Sequence, residues 1–340
     1  MEEEKNDIKI NLTSAEIASL WSTYMSDSAA VCIFEHFLET IEDSDARGEI
    51  EFAINISRRH IDKIREIFTL ENYFVPIGFS IEQDVNKKTP RLFSDIFHLY
   101  FLLNMGAGGL ANYGMALQLS TRKDTVDFFS KAIYESVELK QRVTNVMLNK
   151  GIYIKPPYLD YENEKPMFVE KESFLRGWFG ERRTLTSLEV SHLYLNLYNN
   201  QLGMTILIGF SQVAHTPEIR NYFIKGQEIA RKFINILNNV LTESSIPAPK
   251  AWGTEVTKST SPPYSEKLMM FLVGAISSIG IANYGGSMSL TLRHDLPLKY
   301  AKMLAESGSY AEDGASIMIN NGWFERPPQS INRRKLNNTQ

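Results

Sequence analysis

Charge is missing from two long stretches of this chain. No Asp, Glu, Lys or Arg lies between Ile96 and Thr121, and none between Leu268 and Leu292. Cysteine is nearly absent: Cys32 stands alone among 340 residues. That excludes an internal disulfide and a thiolate zinc cluster, and it suits a reducing compartment. The opening MEEEKNDIKI has no apolar core of the signal-peptide kind, so the expected location is cytoplasmic. Strand signals are scarce, with no Asn-Gly or Asp-Gly hairpin set between alternating runs. The sequence holds no Walker loop, no Gly-x-Gly-x-x-Gly after a strand and no nucleophile elbow, which removes the common nucleotide-binding and serine-hydrolase chemistries. The formal charge of −4 leaves no whole-protein field to draw in nucleic acid, and the short basic run in NRRKLNNTQ reads as a solvated end. Six histidines are present, but they do not pair at metal spacing.

What is abundant is repetition. GLANYGMALQL at 109–119 returns as GIANYGGSMSL at 280–290, 171 positions on. NKGIYIKPP at 149–157 returns at the same offset as NNGWFERPP, and Val75-Pro76 as Ile246-Pro247. LTSAEI at 12–17 returns as LTSLEV at 185–190, at an offset of 173. Two residues are therefore missing from the second copy, and the simplest place for the loss is the first inter-helix loop. The length suits two domains, at 10–160 and 183–330, with 161–182 as linker. A hydrophobic content of 43% and a charged content of 22% are those of a globular protein.

Each copy reads as four helices. Thr13 with Glu16, and Thr186 with Glu189, form the N-cap pattern with a carboxylate three residues on. Ile17, Leu20, Tyr24, Val31 and Leu38 continue the first helix as an apolar stripe. Second helices are expected near 47–70 and 217–241, third helices near 91–120 and 264–292, and fourth helices near 123–150 and 297–321. Gly151 and Gly322, each followed by a Pro-Pro pair, stop the fourth helices. The fold class is all-α: two tandem four-helix bundles related by duplication. The long connection between second and third helices is the ferritin-like one.

The uncharged third helices have the length of a membrane span. Their asparagines, serines, tyrosines and glycines, and the amphipathic character of the other helices, favour instead a helix enclosed on nearly all sides. Glycine costs a helix about 0.5–1 kcal/mol against alanine, so Gly106, Gly109 and Gly114 imply close packing. Asn112 and Tyr113, repeated as Asn283 and Tyr284, read as structural polar pins. The two halves are expected to face each other as a pseudo-dimer within one chain. Tyr194, Tyr198, Trp21 and Trp178 recur at bundle spacing and are assigned to core or interface.

The connectivity, the Asn-Tyr-Gly marks and the Gly…Pro-Pro stops resemble the ferritin-like proteins called domain-of-unknown-function family 3231, from spore-forming Gram-positive bacteria. The resemblance spans about residues 10–330. It implies two tandem ferritin-like domains and kinship with spore coat proteins, and it brings no established activity.

A di-iron bundle needs carboxylates on two helices and Glu-x-x-His on the other two. The first copy offers Glu35, His60, Glu135 and Glu138, enough for one iron or manganese ion on paper. His60 lacks the glutamate three residues earlier, where Ser57 stands. In the second copy, Ile208 replaces Glu35 at offset 173. At offset 171, Ser57 and His60 correspond to Glu228 and Arg231, and Glu135 and Glu138 to Glu306 and Ser309. The expected role is that of a non-enzymatic structural or interaction protein with eroded metal centres, with spore association implied by the resemblance; the alternative is a metal-binding bundle in the first domain only. Its expected partner is another copy or another protein, rather than nucleic acid or a membrane.

Overall fold

Thr13 and Glu16 close a capping box at the start of α1 (Ser14–Thr40), and Thr186 and Glu189 close the same box at α6 (Ser187–Val213). In α2 (Ser44–Leu70) the carboxylate of Asp43 caps the first turn, and in α7 (Pro217–Glu243) a proline opens it. A single turn, α3 (Ile81–Asp84), interrupts the first crossover. Then come α4 (Asp95–Gln118) and α5 (Lys123–Asn149) in the first half, α8 (Glu266–Leu290) and α9 (Asp295–Asn320) in the second. A 3₁₀ turn at Glu172–Leu175 lies between the halves. The computed structural model describes residues 10–159, 168–177, 182–247, 255–331 and 333. Much of the expected linker and Trp178 lie outside them. Among the described residues the chain is all-helical, in two tandem four-helix halves, with two isolated β-bridges and no strand.

The fourth helices stop as expected, with Gly151 at φ 69° and Gly322 at φ 70°. The register of the repeat differs from expectation. The offset of 173 runs through α1 and α2 to α6 and α7, and on to the left-handed residues Asn72 (φ 53°) and Ser245 (φ 56°). It becomes 171 only where the crossovers pair. The two residues are therefore lost in the crossover, not in the first inter-helix loop. Ser57 and His60 consequently correspond to Ala230 and Phe233, not to Glu228 and Arg231.

The crossovers join the halves about a pseudo-dyad. Val85 bridges to Tyr264, and Phe93 to Val256, which are the same two positions exchanged. Four backbone bonds repeat the exchange: Asn86 N–H to Pro263 at 2.8 Å, Thr257 N–H to Leu92 at 2.9 Å, Ser94 N–H to Glu255 at 2.9 Å and Ser265 N–H to Asp84 at 3.0 Å. Side chains follow. The Tyr264 ring packs edge-on against His36 at 5.5 Å and donates to the Ile33 carbonyl at 3.1 Å. Phe93, its counterpart, lies against Gly209, where a Cβ would come within 2.6 Å of the ring. One apolar core crosses this seam, with Phe34, Phe37 and Phe101 on one side and Ile206, Phe210 and Met269 on the other. Each half adds a smaller core of its own.

The third helices depart from full enclosure. Burial in α4 is concentrated in Phe97–Leu103, and in α8 in Leu268–Val273. Beyond those turns one side of each helix faces outward.

Buried glutamates tie the far ends. Glu16, 1% exposed, accepts from the Thr13 amide with one oxygen and from the Thr121 and Arg122 amides and the Thr125 hydroxyl with the other. Glu189 accepts from the amides of Thr186, Leu292 and Arg293, and from the Arg183 guanidinium. Burial pushes the Glu16 carboxyl up, but the Arg122, Thr13 and Thr121 amides reverse this and leave it at about 2. A carboxyl depressed on folding stabilises above its unfolded pKa of about 4.5, and that stability is lost as pH falls toward 2. Glu16→Ala is expected to cost about 3 kcal/mol at neutral pH. Glu16→Gln should flatten the decline in stability between pH 5 and pH 3 (about), read from urea midpoints.

Candidate functional site

The first half carries a run of buried charge between its helices. Asp27 of α1, Ser57 and His60 of α2 and Glu135 of α5 are each less than a tenth exposed. The Ser57 hydroxyl donates to one Asp27 oxygen at 2.8 Å; His60 Nδ1 lies 3.0 Å from the other, and its Nε2 lies 2.9 Å from Glu135. Arg59 reaches the second Glu135 oxygen at 2.7 Å from the rim. The rings of Tyr113 and Phe128 stand edge-on to the imidazole at 5.7 and 5.3 Å.

With a carboxylate at each nitrogen, both ring nitrogens donate and the imidazole is an imidazolium. Burial opposes that charge, yet Asp27 first and then Glu135 raise the His60 pKa to about 9. Burial pushes the Glu135 carboxyl up, and His60 and Arg59 bring it below its usual range. Desolvation holds the Tyr113 phenol well above its ordinary range, with Asp27 and Glu135 adding to the effect.

Of the four residues read as metal ligands, His60 and Glu135 meet. Glu35 stands eight residues beyond Asp27 on α1, about 12 Å along the axis. There it pairs with Arg58 and, at 2.6 Å, with Lys87. The Glu138 side chain is 56% exposed and has Arg142 at 3.8 Å. Among the described residues no three His, Cys, Asp or Glu side chains form a set able to hold a metal ion. Both His60 nitrogens are already engaged, which leaves no lone pair for a cation. An apolar stripe drawn through Tyr24, Val31 and Leu38 passes over Asp27, because a carboxylate does not register in an apolar pattern. The usable signal was its spacing of one turn from Tyr24 and Val31, which places it on the same buried side.

The second half repeats this geometry without charge. Asn200 replaces Asp27, Ala230 replaces Ser57 and Phe233 replaces His60. Phe233 stands edge-on to Tyr284 at 5.8 Å and 90°, as His60 does to Tyr113 at 5.7 Å and 89°. The Tyr284 hydroxyl donates to Asn200 at 3.0 Å. Glu306, the counterpart of Glu135, pairs with Lys232 at 2.7 Å. A cavity of ≈ 80 Å³ lies here, lined in part by Asn196, Asn200, Gly203 and Tyr284. Of the residues read as polar pins, Tyr284 is buried and bonded, Tyr113 packs on His60, Asn283 is half-buried, and Asn112 is exposed. His98 of α4 is a neutral core residue, stacked on Phe37 at 3.8 Å and lowered by burial to about 3.

His60→Phe alone should destabilise the fold by about 3–5 kcal/mol, since it leaves Asp27 and Glu135 buried without their cation. Adding Asp27→Asn and Ser57→Ala, the second half's own solution, should recover most of that loss in thermal unfolding. A histidine raised on folding stabilises fully below its unfolded pKa of about 6.5. That contribution should fade as pH rises through about 9 in the native chain and be missing from the triple variant.

No curated protein matches the chain in sequence. A crystal structure from Bacillus halodurans, of a protein carrying the provisional description of spore coat protein, is similar at 12% identity and a TM-score of 0.40. The match covers 44% of this chain and 98% of that one. The family described as Protein of unknown function (DUF3231) matches residues 3–164 and again 173–336. Nearly the whole chain is thus accounted for by two copies of one domain, and the protein belongs to the DUF3231 family.

Proposed function

We propose that the protein is a non-enzymatic structural or interaction protein made of two ferritin-like bundles. In the first bundle an internal ion cluster occupies the interior where a metal centre would sit. In the second a neutral cluster does. The observation that carries this reading is His60, held between Asp27 and Glu135 by both ring nitrogens at 3.0 and 2.9 Å. The cation that neutralises those carboxylates is a side chain of the protein itself. Association with the spore belongs to the same proposal. It rests on family kinship, and the partner is taken to be another copy or another protein.

The test is metal content. Chain purified without chelator, and then equilibrated with ferrous iron or manganese, should hold far less than one ion per chain by mass spectrometry. One retained ion per chain, lost in Glu135→Ala and in His60→Ala, would establish the rival reading of an iron or manganese site in the first bundle.

A further inference from the structure

We infer that the cavity of ≈ 80 Å³ in the second bundle is a binding site for a small neutral alcohol of about three or four carbons. Helices α6, α7, α8 and α9 enclose it, and Asn104 of α4 reaches its wall from the first half, donating to Asn199 at 3.0 Å. Asn104 and Asn199 are both half-buried, so this edge of the cavity opens toward solvent. Among the described residues no Asp, Glu, Lys, Arg or His lines it, and an ionic ligand finds no counter-charge there. Leu207, Ile229, Phe233 and Ile276 supply an apolar wall.

Comparison of the halves shows how the space arises. Gly109 and Ser136 of the first half recur as Gly280 and Ser307. A Cβ on Gly109 would collide with the Ser136 hydroxyl, whereas one on Gly280 would meet nothing nearer than Tyr284 at 3.9 Å. Thus α8 and α9 stand apart where α4 and α5 touch, although the facing residues are the same. A rigid pair of rings stands beside the gap. Tyr310, which lines the cavity, stacks on Tyr222 of α7 at 4.3 Å, and each hydroxyl donates to the other's backbone carbonyl, at 3.1 and 3.2 Å. The first half has Glu49 and Leu139 in those places.

The polar groups of the lining fit one hydroxyl and not a cluster of waters. Asn200 and Tyr284 bond to each other, and the Ser277 hydroxyl donates to the Val273 carbonyl at 2.8 Å. Asn196, 1% exposed, spends its amide nitrogen on the His192 carbonyl and the Ser287 hydroxyl, at 2.8 and 2.7 Å. Its oxygen accepts no bond within the protein, nor does the Tyr300 hydroxyl beside it make one. A buried acceptor left in that state is costly, and a ligand hydroxyl completes it. About two or three waters would fill the volume, each needing two to four partners, which an apolar wall does not supply. An apolar cavity of about 150 Å³ admits benzene, so about half that bulk suits this one.

The site goes beyond the structural role proposed above, and its test does not involve metal. The full chain, with isoleucine and leucine methyls isotopically labelled, is titrated with 1-propanol and followed by NMR. The Leu207, Ile229 and Ile276 methyls should shift and saturate in the millimolar range, as a ligand of about four heavy atoms allows. Ethylene glycol, equal in heavy atoms but without an apolar body, should bind at least tenfold more weakly. Gly203→Ala with Gly280→Ala puts two methyls into the cavity, the first being the residue found at Ala30 in the other half. The new Cβ atoms would meet only ordinary contacts, Ile276 at 3.7 Å and Tyr284 at 3.9 Å. The pair should therefore fold with an unchanged or higher thermal midpoint and lose at least tenfold in propanol affinity. Shifts that rise linearly without saturating overturn the inference, as does ethylene glycol bound as well as 1-propanol. So does saturable binding that the two methyls leave unchanged.

Discussion

The reciprocal pairing of the two crossovers is the constraint on which the rest of the molecule depends. Each crossover spends its backbone groups on the other through Asn86, Ser94, Thr257 and Ser265. A long loop in a single bundle would leave those groups to water. Here they are satisfied over an apolar seam, which allows Leu92, Phe93 and Tyr264 to be buried. The main core therefore belongs to the pair and not to either half. Phe93 seats on Gly209 and Tyr264 on His36, so one contact is made twice with different chemistry. Neither half would keep that core dry alone.

Inside each bundle the rule is charge complete or charge absent. A buried carboxylate without a partner is costly, and a buried cation equally so. The first half meets the rule with two carboxylates around one imidazolium, plus a hydroxyl on Asp27 and a guanidinium on Glu135. In the second half the Asn, Ala and Phe replacements stand together at the matching positions. Had the second half kept the aspartate after losing the histidine, it would have held an uncompensated charge beside Phe233. The edge-on ring contact with the tyrosine survives because an imidazole and a phenyl have the same flat shape at that spot.

Much of the fold was legible in the sequence because its signals are local. The capping boxes at Thr13 and Thr186, the glycine stops at 151 and 322 and the repeated third helix all depend on residues a few positions apart. The register of the second helices was not legible, since no motif marks where two residues vanish from a crossover. That single error paired His60 with Arg231 and hid its replacement by Phe233. Asp27 and His60 stand 33 positions apart, and only the packing of α1 on α2 brings them together. The carboxylates with the right spacing, Glu35 and Glu138, went instead to lysine and arginine partners at the edge of the bundle.

The glycine-rich third helices show the limit of composition as a guide to burial. A helix without charges is a core helix if its neighbours surround it, and in their first turns α4 and α8 are core helices. Past those turns the neighbours separate and the same composition faces outward. Glycine there gives up helix propensity, so local stability does not explain the glycines, whereas the alanines suit a helix. The Gly106 side of α4 does have a packing reason, because a Cβ there would lie 3.2 Å from Lys140. No such crowding applies at Gly114 or Gly286, which have open space where a side chain would go.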